Sequence, residues 1–148
     1  NTYGYVYQNS LKYVDPLGLD VTVCFYPDAA ADYGHVGYGV NSNTTYGFTR
    51  ENGGWAGDTE GAIKPDNEHY SHNKRQCITI KTNEKQDSCI LNEQENRTRW
   101  PGNYKLHRRQ CTSYVQDALS TCNVYNDTNK YDPRPENFYR RLKNEYKK

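Results

Sequence analysis

The chain has 148 residues, a net charge of only +1 and a mean hydropathy of -1.15. That length suits one domain with a modest core, and the near-neutral balance argues against nucleic acid as a partner. No apolar run approaches the ~18 residues that a membrane span needs, and the polar start lacks an apolar signal region, so export is expected to be carried by something outside this sequence. Disorder is not expected either, because the 15 tyrosines supply large buried area with a polar handle.

Residues 1–19 read as short aromatic pieces closed by a Pro-Gly turn, with Tyr3, Tyr5 and Tyr7 alternating as on one strand. From Asp20 the texture changes. Val21–Tyr26 is β-branched and aromatic, and predicts a strand. His35–Val40 alternates and predicts a second strand, Asn41-Ser42-Asn43 a turn, and Thr44–Thr49 a third strand. Residues 50–74 are rich in Gly, Asn and charge, and read as a long loop of the kind that serves as a lid or binding segment. Cys77–Ile80 predicts another strand. A helix follows from Asp87 to about Arg99, with Asp87 or Ser88 as N-cap and Pro101-Gly102 as its break. Cys111–Cys122 predicts an amphipathic helix with Cys111, Val115, Ala118 and Cys122 on one face. Pro135–Tyr146 predicts the last helix, with Phe138, Leu142 and Tyr146 in line.

Charge is unevenly spread. Acidic residues outnumber basic ones seven to two from Asp20 to Asp66, and basic residues outnumber acidic ones six to two from Arg134 to Lys148. The basic end reads as a solvated helix or as a surface for anionic lipid head groups or an acidic partner.

The five cysteines stand at 24, 77, 89, 111 and 122 without metal-ligand spacing, so zinc is not expected. If the other four form two bridges, Cys111 is the unpaired one, with Cys77 and Cys89, which flank a turn, as the expected partners; a fully reduced protein is equally allowed. His69 and His72 have a helical spacing but no third ligand. No metal or other cofactor is expected. Sequons begin at Asn43, Asn96 and Asn126.

Two features carry chemistry. Gly34-His35-Val36-Gly37-Tyr38-Gly39 opens a strand with a histidine among small residues. Gln110-Cys111 places a thiol at a helix start, where the dipole favours a thiolate and free backbone N–H groups of Gln110 and Cys111 can hold an oxyanion. Arg108 and Arg109 lie just upstream, and His107 either lines the approach to the thiol or is exposed. An imidazole beside the thiol completes a nucleophile–base pair. The plain reading is a buried cysteine acting as a small hydrophobe and an ordinary core histidine.

The run Tyr3-Gly-Tyr-Val-Tyr-Gln-Asn-Ser-Leu-Lys-Tyr-Val-Asp-Pro-Leu-Gly-Leu19 resembles the closing stretch of the Rhs (YD-repeat) core. That family encloses a C-terminal toxin and is cut after this motif. The resemblance implies a core tail over residues 1–19, a toxin domain over 20–148, and a cut between Leu19 and Asp20. It also implies an antibacterial effector, with type VI secretion among its routes, and a cognate immunity protein expected to cover the Cys111 cleft or the 50–74 segment.

The His-led strand, its hairpin partner and the stretch PGNYKLHRRQCTSYVQDAL resemble the circularly permuted papain-like enzymes, including NlpC-type and lecithin:retinol acyltransferase-like members. The implied fold is α+β, a small antiparallel sheet packed against the helix that carries the nucleophile. Cys111 is the implied nucleophile and His35 the general base. Two departures stand out. Gln110 replaces the usual Asn, and Gly47 falls where acyltransferases carry a second polar residue, leaving Tyr46, Thr49 or a backbone carbonyl to orient His35.

The implied activity is cysteine-dependent acyl transfer in the target-cell envelope. Phospholipid hydrolysis or acyl transfer ranks first, cell-wall amide cleavage second, and proteolysis or deamidation of a protein third. The readings from other classes are a non-enzymatic membrane-active or binding toxin, and a nuclease or ADP-ribosyltransferase, for whose nuclease form the metal spacing is missing.

Overall fold

The computed structural model describes residues 19–30, 32–40, 44–51, 59–105 and 110–146. The expected core tail up to residue 18, the turn expected at 41–43 and residues 107–109 lie outside the described residues.

The fold is α+β. Strands β1 (Val21–Tyr26), β2 (His35–Val40), β3 (Tyr46–Arg50), β4 (Thr59–Pro65), β5 (Gln76–Ile80) and β6 (Asn103–Tyr104) alternate with helices α1 (Asp66–His69), α2 (Glu84–Arg99), α3 (Cys111–Thr121) and α4 (Pro135–Tyr146). The strands form one open antiparallel sheet of order β5-β1-β2-β3-β4-β6.

Alternation sets the two faces of the sheet. Val21, Val23 and Phe25 of β1, Val36 and Tyr38 of β2 and Phe48 of β3 point to one side. There they meet Ile90 of α2, Tyr114, Val115 and Leu119 of α3, and Phe138 and Leu142 of α4. Each such side chain, fully buried, contributes about 1.5–3 kcal/mol. Cys24 and Tyr26 point to the other side, where Ala29 and Tyr70 cover them.

The predicted strands β1, β2, β3 and β5 and helices α3 and α4 form where the pattern places them, within a residue or two. Residues 50–74 differ from the expected loop. Thr59–Pro65 pairs with β3 from Tyr46↔Pro65 to Arg50↔Gly61. This stretch has little alternation of its own, so the partner strand imposes the conformation. Helix α2 also starts earlier than expected, at Glu84 instead of Asp87. The Asn83 side chain accepts from the Gln86 N–H and the Gln86 side chain accepts from the Asn83 N–H, a capping box that outcompetes a later start. Among the described residues, no helix is long and apolar enough to cross a membrane.

Disulfides join Cys24 to Cys77 and Cys89 to Cys122, and Cys111 is the free cysteine. The expected Cys77–Cys89 pair is not formed. Cys77 lies directly across from Cys24 in the β1–β5 register, while Cys89 packs against the core near the end of α3. The first bridge fastens the edge strand, and the second fastens α2 to the C-terminal end of the helix that carries Cys111.

The expected release point lies at the foot of β1, and the domain grips the residue before it. The Leu19 N–H donates to Asp87 Oδ2, and the Thr82 hydroxyl lies within hydrogen-bond reach of the Leu19 carbonyl and of Asp87.

The basic end is a packing helix. Phe138, Tyr139 and Leu142 of α4 are buried. Arg141 bonds Asp127 and Arg134 bonds Asp132, which neutralises half of its described cations.

The Cys89–Cys122 bridge closes a loop over a sequence separation of 33. Replacing both cysteines by serine is expected to lower stability by about 2–4 kcal/mol, read as a shift of the urea midpoint against the parent chain.

Candidate active site

Helix α3 starts at Cys111 because Gln110 caps it. Gln110 is extended, with φ -134 and ψ -173. Its Oε1 accepts from the Thr112 N–H at 3.4 Å, and its own N–H donates to Ser113 Oγ at 3.0 Å. Gln110 is 1 % exposed, so this cap is rigid. The thiol follows at once, in the first turn of an 11-residue helix whose N-terminal end carries partial positive charge. Cys111 Sγ lies 4.0 Å from Gln110 Oε1.

His35 comes from the first residue of β2 and meets the thiol where the sheet opens. Among the described residues, β2 and β3 pair only at Tyr38↔Tyr46. Toward the His35 end the imidazole lies over Gly47 of β3. An added Cβ on Gly47 would stand 2.2 Å from His35 Nε2. The ring contacts the Cys111 side chain on one side and places Nε2 2.8 Å from Asp66 Oδ1 on the other. With Nε2 committed to Asp66, Nδ1 is the nitrogen left to face the thiol.

Asp66 is the residue that the sequence did not reveal. It follows directly on β4, which β3 aligns, and its N–H donates to the Thr45 carbonyl at 2.8 Å. Its second oxygen, Oδ2, accepts from Thr45 Oγ1 at 2.7 Å. Gly37 makes room for it, since a Cβ there would stand 1.9 Å from Oδ2. The one signal in the sequence was its place in the 50–74 segment, already marked by its length and polarity as functional.

The candidates for orienting His35 lie elsewhere. Tyr46 is 36 % exposed and lies between Tyr38 and Pro65 in the sheet register. Thr49 bonds the Tyr70 hydroxyl instead. The small residue at Gly47 is the mark of a ring packed over it, and the polar partner arrives from the next strand.

The electrostatics follow from burial and pairing. Burial opposes an imidazolium at His35. The charge and hydrogen bond of Asp66, then the hydrogen bond and charge of Cys111, outweigh it and hold His35 well above its ordinary value of 6.5. The site therefore favours an imidazolium at His35.

Three tyrosines lie near enough to Cys111 to feel its charge. Burial first, then the charge of Cys111, raises the phenols of Tyr33 and Tyr104. Burial also raises Tyr70, with His35 opposing and Cys111 adding. The Tyr70 ring lies 4.5 Å from that of His35 and covers it. Gln110 faces the Tyr33 hydroxyl. Of the expected oxyanion donors, the Gln110 backbone N–H is committed to Ser113, which leaves the Cys111 N–H and the Gln110 side-chain amide. Arg108, Arg109 and His107 lie outside the described residues.

His69 ends α1, so His72 does not share its helix. Among the described residues, no group of three metal-binding side chains forms. His69 instead meets Tyr70 edge-on at 4.6 Å.

A raised imidazole stabilises the fold below its unfolded value of 6.5 and loses that contribution as pH rises through the folded value. The parent chain is therefore expected to lose stability above about pH 6.5 more steeply than His35→Gln, in urea titrations run from pH 6 to 10. Gly47→Ala is expected to displace the imidazole, lower stability by about 1–3 kcal/mol and abolish activation of the thiol, read as loss of the pH 6 alkylation rate of Cys111 in a protein that remains folded.

Comparison of the chain with protein-family models, with curated proteins and with solved structures finds no match.

Proposed function

We propose that this chain carries the toxin domain of an Rhs-type antibacterial effector, and that the domain is a cysteine-dependent acyl hydrolase or acyltransferase of the permuted papain-like kind. The observation that carries the reading is the buried line Cys111–His35–Asp66, assembled from three separate elements around a lone free thiol.

In the proposed reaction the Cys111 thiolate attacks an ester or amide carbonyl. The oxyanion of the tetrahedral intermediate is held by the Cys111 N–H and the Gln110 side-chain amide. The intermediate collapses to a thioester as the bond to the leaving group breaks, and His35 gives its proton to that leaving group. Neutral His35 then takes a proton from water or another acceptor, which attacks the thioester and returns the thiolate. Asp66 keeps the ring oriented and supports the imidazolium throughout.

Phospholipids are the first substrate class, on the resemblance of the helix start to acyltransferases. The basic end adds little support, since Asp127 and Asp132 neutralise Arg141 and Arg134. Amides of cell-wall peptides are the second reading, and the ring of Tyr33, Tyr70 and Tyr104 favours it, because phenols offer hydroxyls as well as ring faces to a peptide. The disulfides support action in the envelope, where such bridges persist. A cognate immunity protein is expected to cover the Cys111 cleft or the segment from which Asp66 comes.

Targeted to the periplasm of a test bacterium, the parent chain is expected to kill. Cys111→Ala, His35→Ala and Asp66→Asn are each expected to lower activity at least ~100-fold. Killing that survives all three substitutions would overturn the enzyme reading. Thin-layer analysis of lipids beside mass spectrometry of cell-wall fragments from intoxicated cells decides between the substrates: unchanged phospholipids with altered wall peptides replace the first class by the second.

A further inference from the structure

We propose that Thr45 is a positioning residue for the His35–Asp66 pair, and that the Tyr26 hydroxyl holds Thr45 in turn; the proposal rests on the acyl-transfer reading above.

Thr45 lies just before β3 and is 1 % exposed. It holds Asp66 by two groups. Its carbonyl accepts the Asp66 N–H at 2.8 Å, and its hydroxyl donates to Asp66 Oδ2 at 2.7 Å. The Tyr26 hydroxyl lies 3.2 Å from Thr45 Oγ1.

Proton counting orders these bonds. A hydroxyl has one proton, and an ionised carboxylate only accepts. The Thr45 proton therefore goes to Asp66, and the Thr45 oxygen accepts from Tyr26. The line runs Tyr26 to Thr45 to Asp66, with His35 donating to the other carboxylate oxygen. All four residues are buried, at 2 %, 1 %, 1 % and 3 % exposure. Donors in such a chain strengthen one another.

The consequence is directional. Asp66 has one oxygen for His35 and one for Thr45, and Gly37 packs close behind Oδ2. The carboxylate cannot swing away from the ring. Without the Thr45 hydroxyl, Oδ2 is left buried and unpaired, and Asp66 loses the orientation that supports the imidazolium.

Other titratable groups face His35 as well. They are Cys111 from α3, Tyr26 from β1, and His69 and Tyr70 from α1 and its end. Of these, only Tyr26 is bonded to Thr45.

The test needs no substrate. The alkylation rate of Cys111 by iodoacetamide is measured on the purified full chain at pH 6 and pH 9, for the parent, Thr45→Val and Thr45→Ser. The rate at pH 6 reads the support that the His35–Asp66 pair gives the thiol, and the rate at pH 9 reads access to the sulfur. Thr45→Val is expected to react at least ~3-fold slower at pH 6, and like the parent at pH 9. Thr45→Ser is expected to restore the parent rate. Equal rates at pH 6, or an equal fall at both pH values, overturns the proposal, because a merely structural change alters access to the thiol at both.

Should Thr45→Val fail to fold, Tyr26→Phe removes only the outer hydroxyl. The His35 ring titration, followed by nitrogen NMR, is then expected to move down, and an unmoved or raised midpoint overturns the proposal. Killing assays separate the two levels. Toxicity retained by Cys111→Ala sinks the acyl-transfer reading whatever Thr45 does, whereas loss in Asp66→Asn with parent behaviour in Thr45→Val sinks only this inference.

Discussion

The hydrogen bond between Asp66 and His35 is the constraint around which this molecule is arranged. A carboxylate withdrawn from water costs several kcal/mol unless charge and hydrogen bonds replace the lost solvent. The Asp66 carboxylate, at 1 % exposure, accepts from the imidazole and from the Thr45 hydroxyl, while the Asp66 backbone N–H donates to the Thr45 carbonyl. Each donor fixes a piece of backbone. The imidazole fixes the start of β2, Thr45 fixes the approach to β3, and the N–H fixes the exit from β4. Three strands thus converge on one charge. Glycine at positions 37 and 47 is part of the same solution, since a Cβ at either place would strike the pair itself.

The cysteine is held by a separate set of interactions. Gln110 caps α3, Tyr114, Val115 and Leu119 anchor the helix to the sheet, and Cys89–Cys122 fastens its far end to α2. The two sets of interactions come together where the thiol reaches the imidazole. Such a division makes the pair sensitive to the relative placement of α3 and the sheet. The aromatic contacts between them, Tyr38 with Tyr114 at 5.0 Å and Phe48 with Tyr114 at 6.3 Å, are what hold that placement.

Much of this was legible in the sequence, and the failures have common causes. Elements whose own residues carry the pattern, such as the β-branched Val21–Tyr26 and the apolar face of Cys111–Cys122, were readable because burial selects their side chains directly. Thr59–Pro65 was not readable, because its strand character comes from pairing with β3 and leaves little trace in its composition. Asp66 was hidden with it: a carboxylate in a polar segment looks solvated until the neighbouring strand is placed. Gly47 was noticed as a gap where a polar group was expected. Its meaning was inverted, since an absent side chain marks where another residue's ring is packed. The bridge partners were misjudged for a related reason. Cys77 and Cys89 are close in sequence, but the β1–β5 register and the packing of α2 on α3 decide which sulfurs meet.

On the proposed envelope setting, bridges and nucleophile make opposing demands. The compartment that keeps Cys24–Cys77 and Cys89–Cys122 oxidised also threatens a reactive thiolate, which is the form most prone to oxidation and to exchange with disulfides. Two arrangements reconcile them. Both ends of each bridge lie on elements whose pairing or packing already juxtaposes them, so Cys111 is left as the odd thiol by geometry. Cys111 is also only 2 % exposed, enclosed by the Gln110 cap, the His35 ring and the surrounding tyrosines. Burial that protects the thiol also restricts which carbonyls can approach it. Protection and selectivity are, on this reading, two consequences of burying one charge pair at the seam of a small sheet.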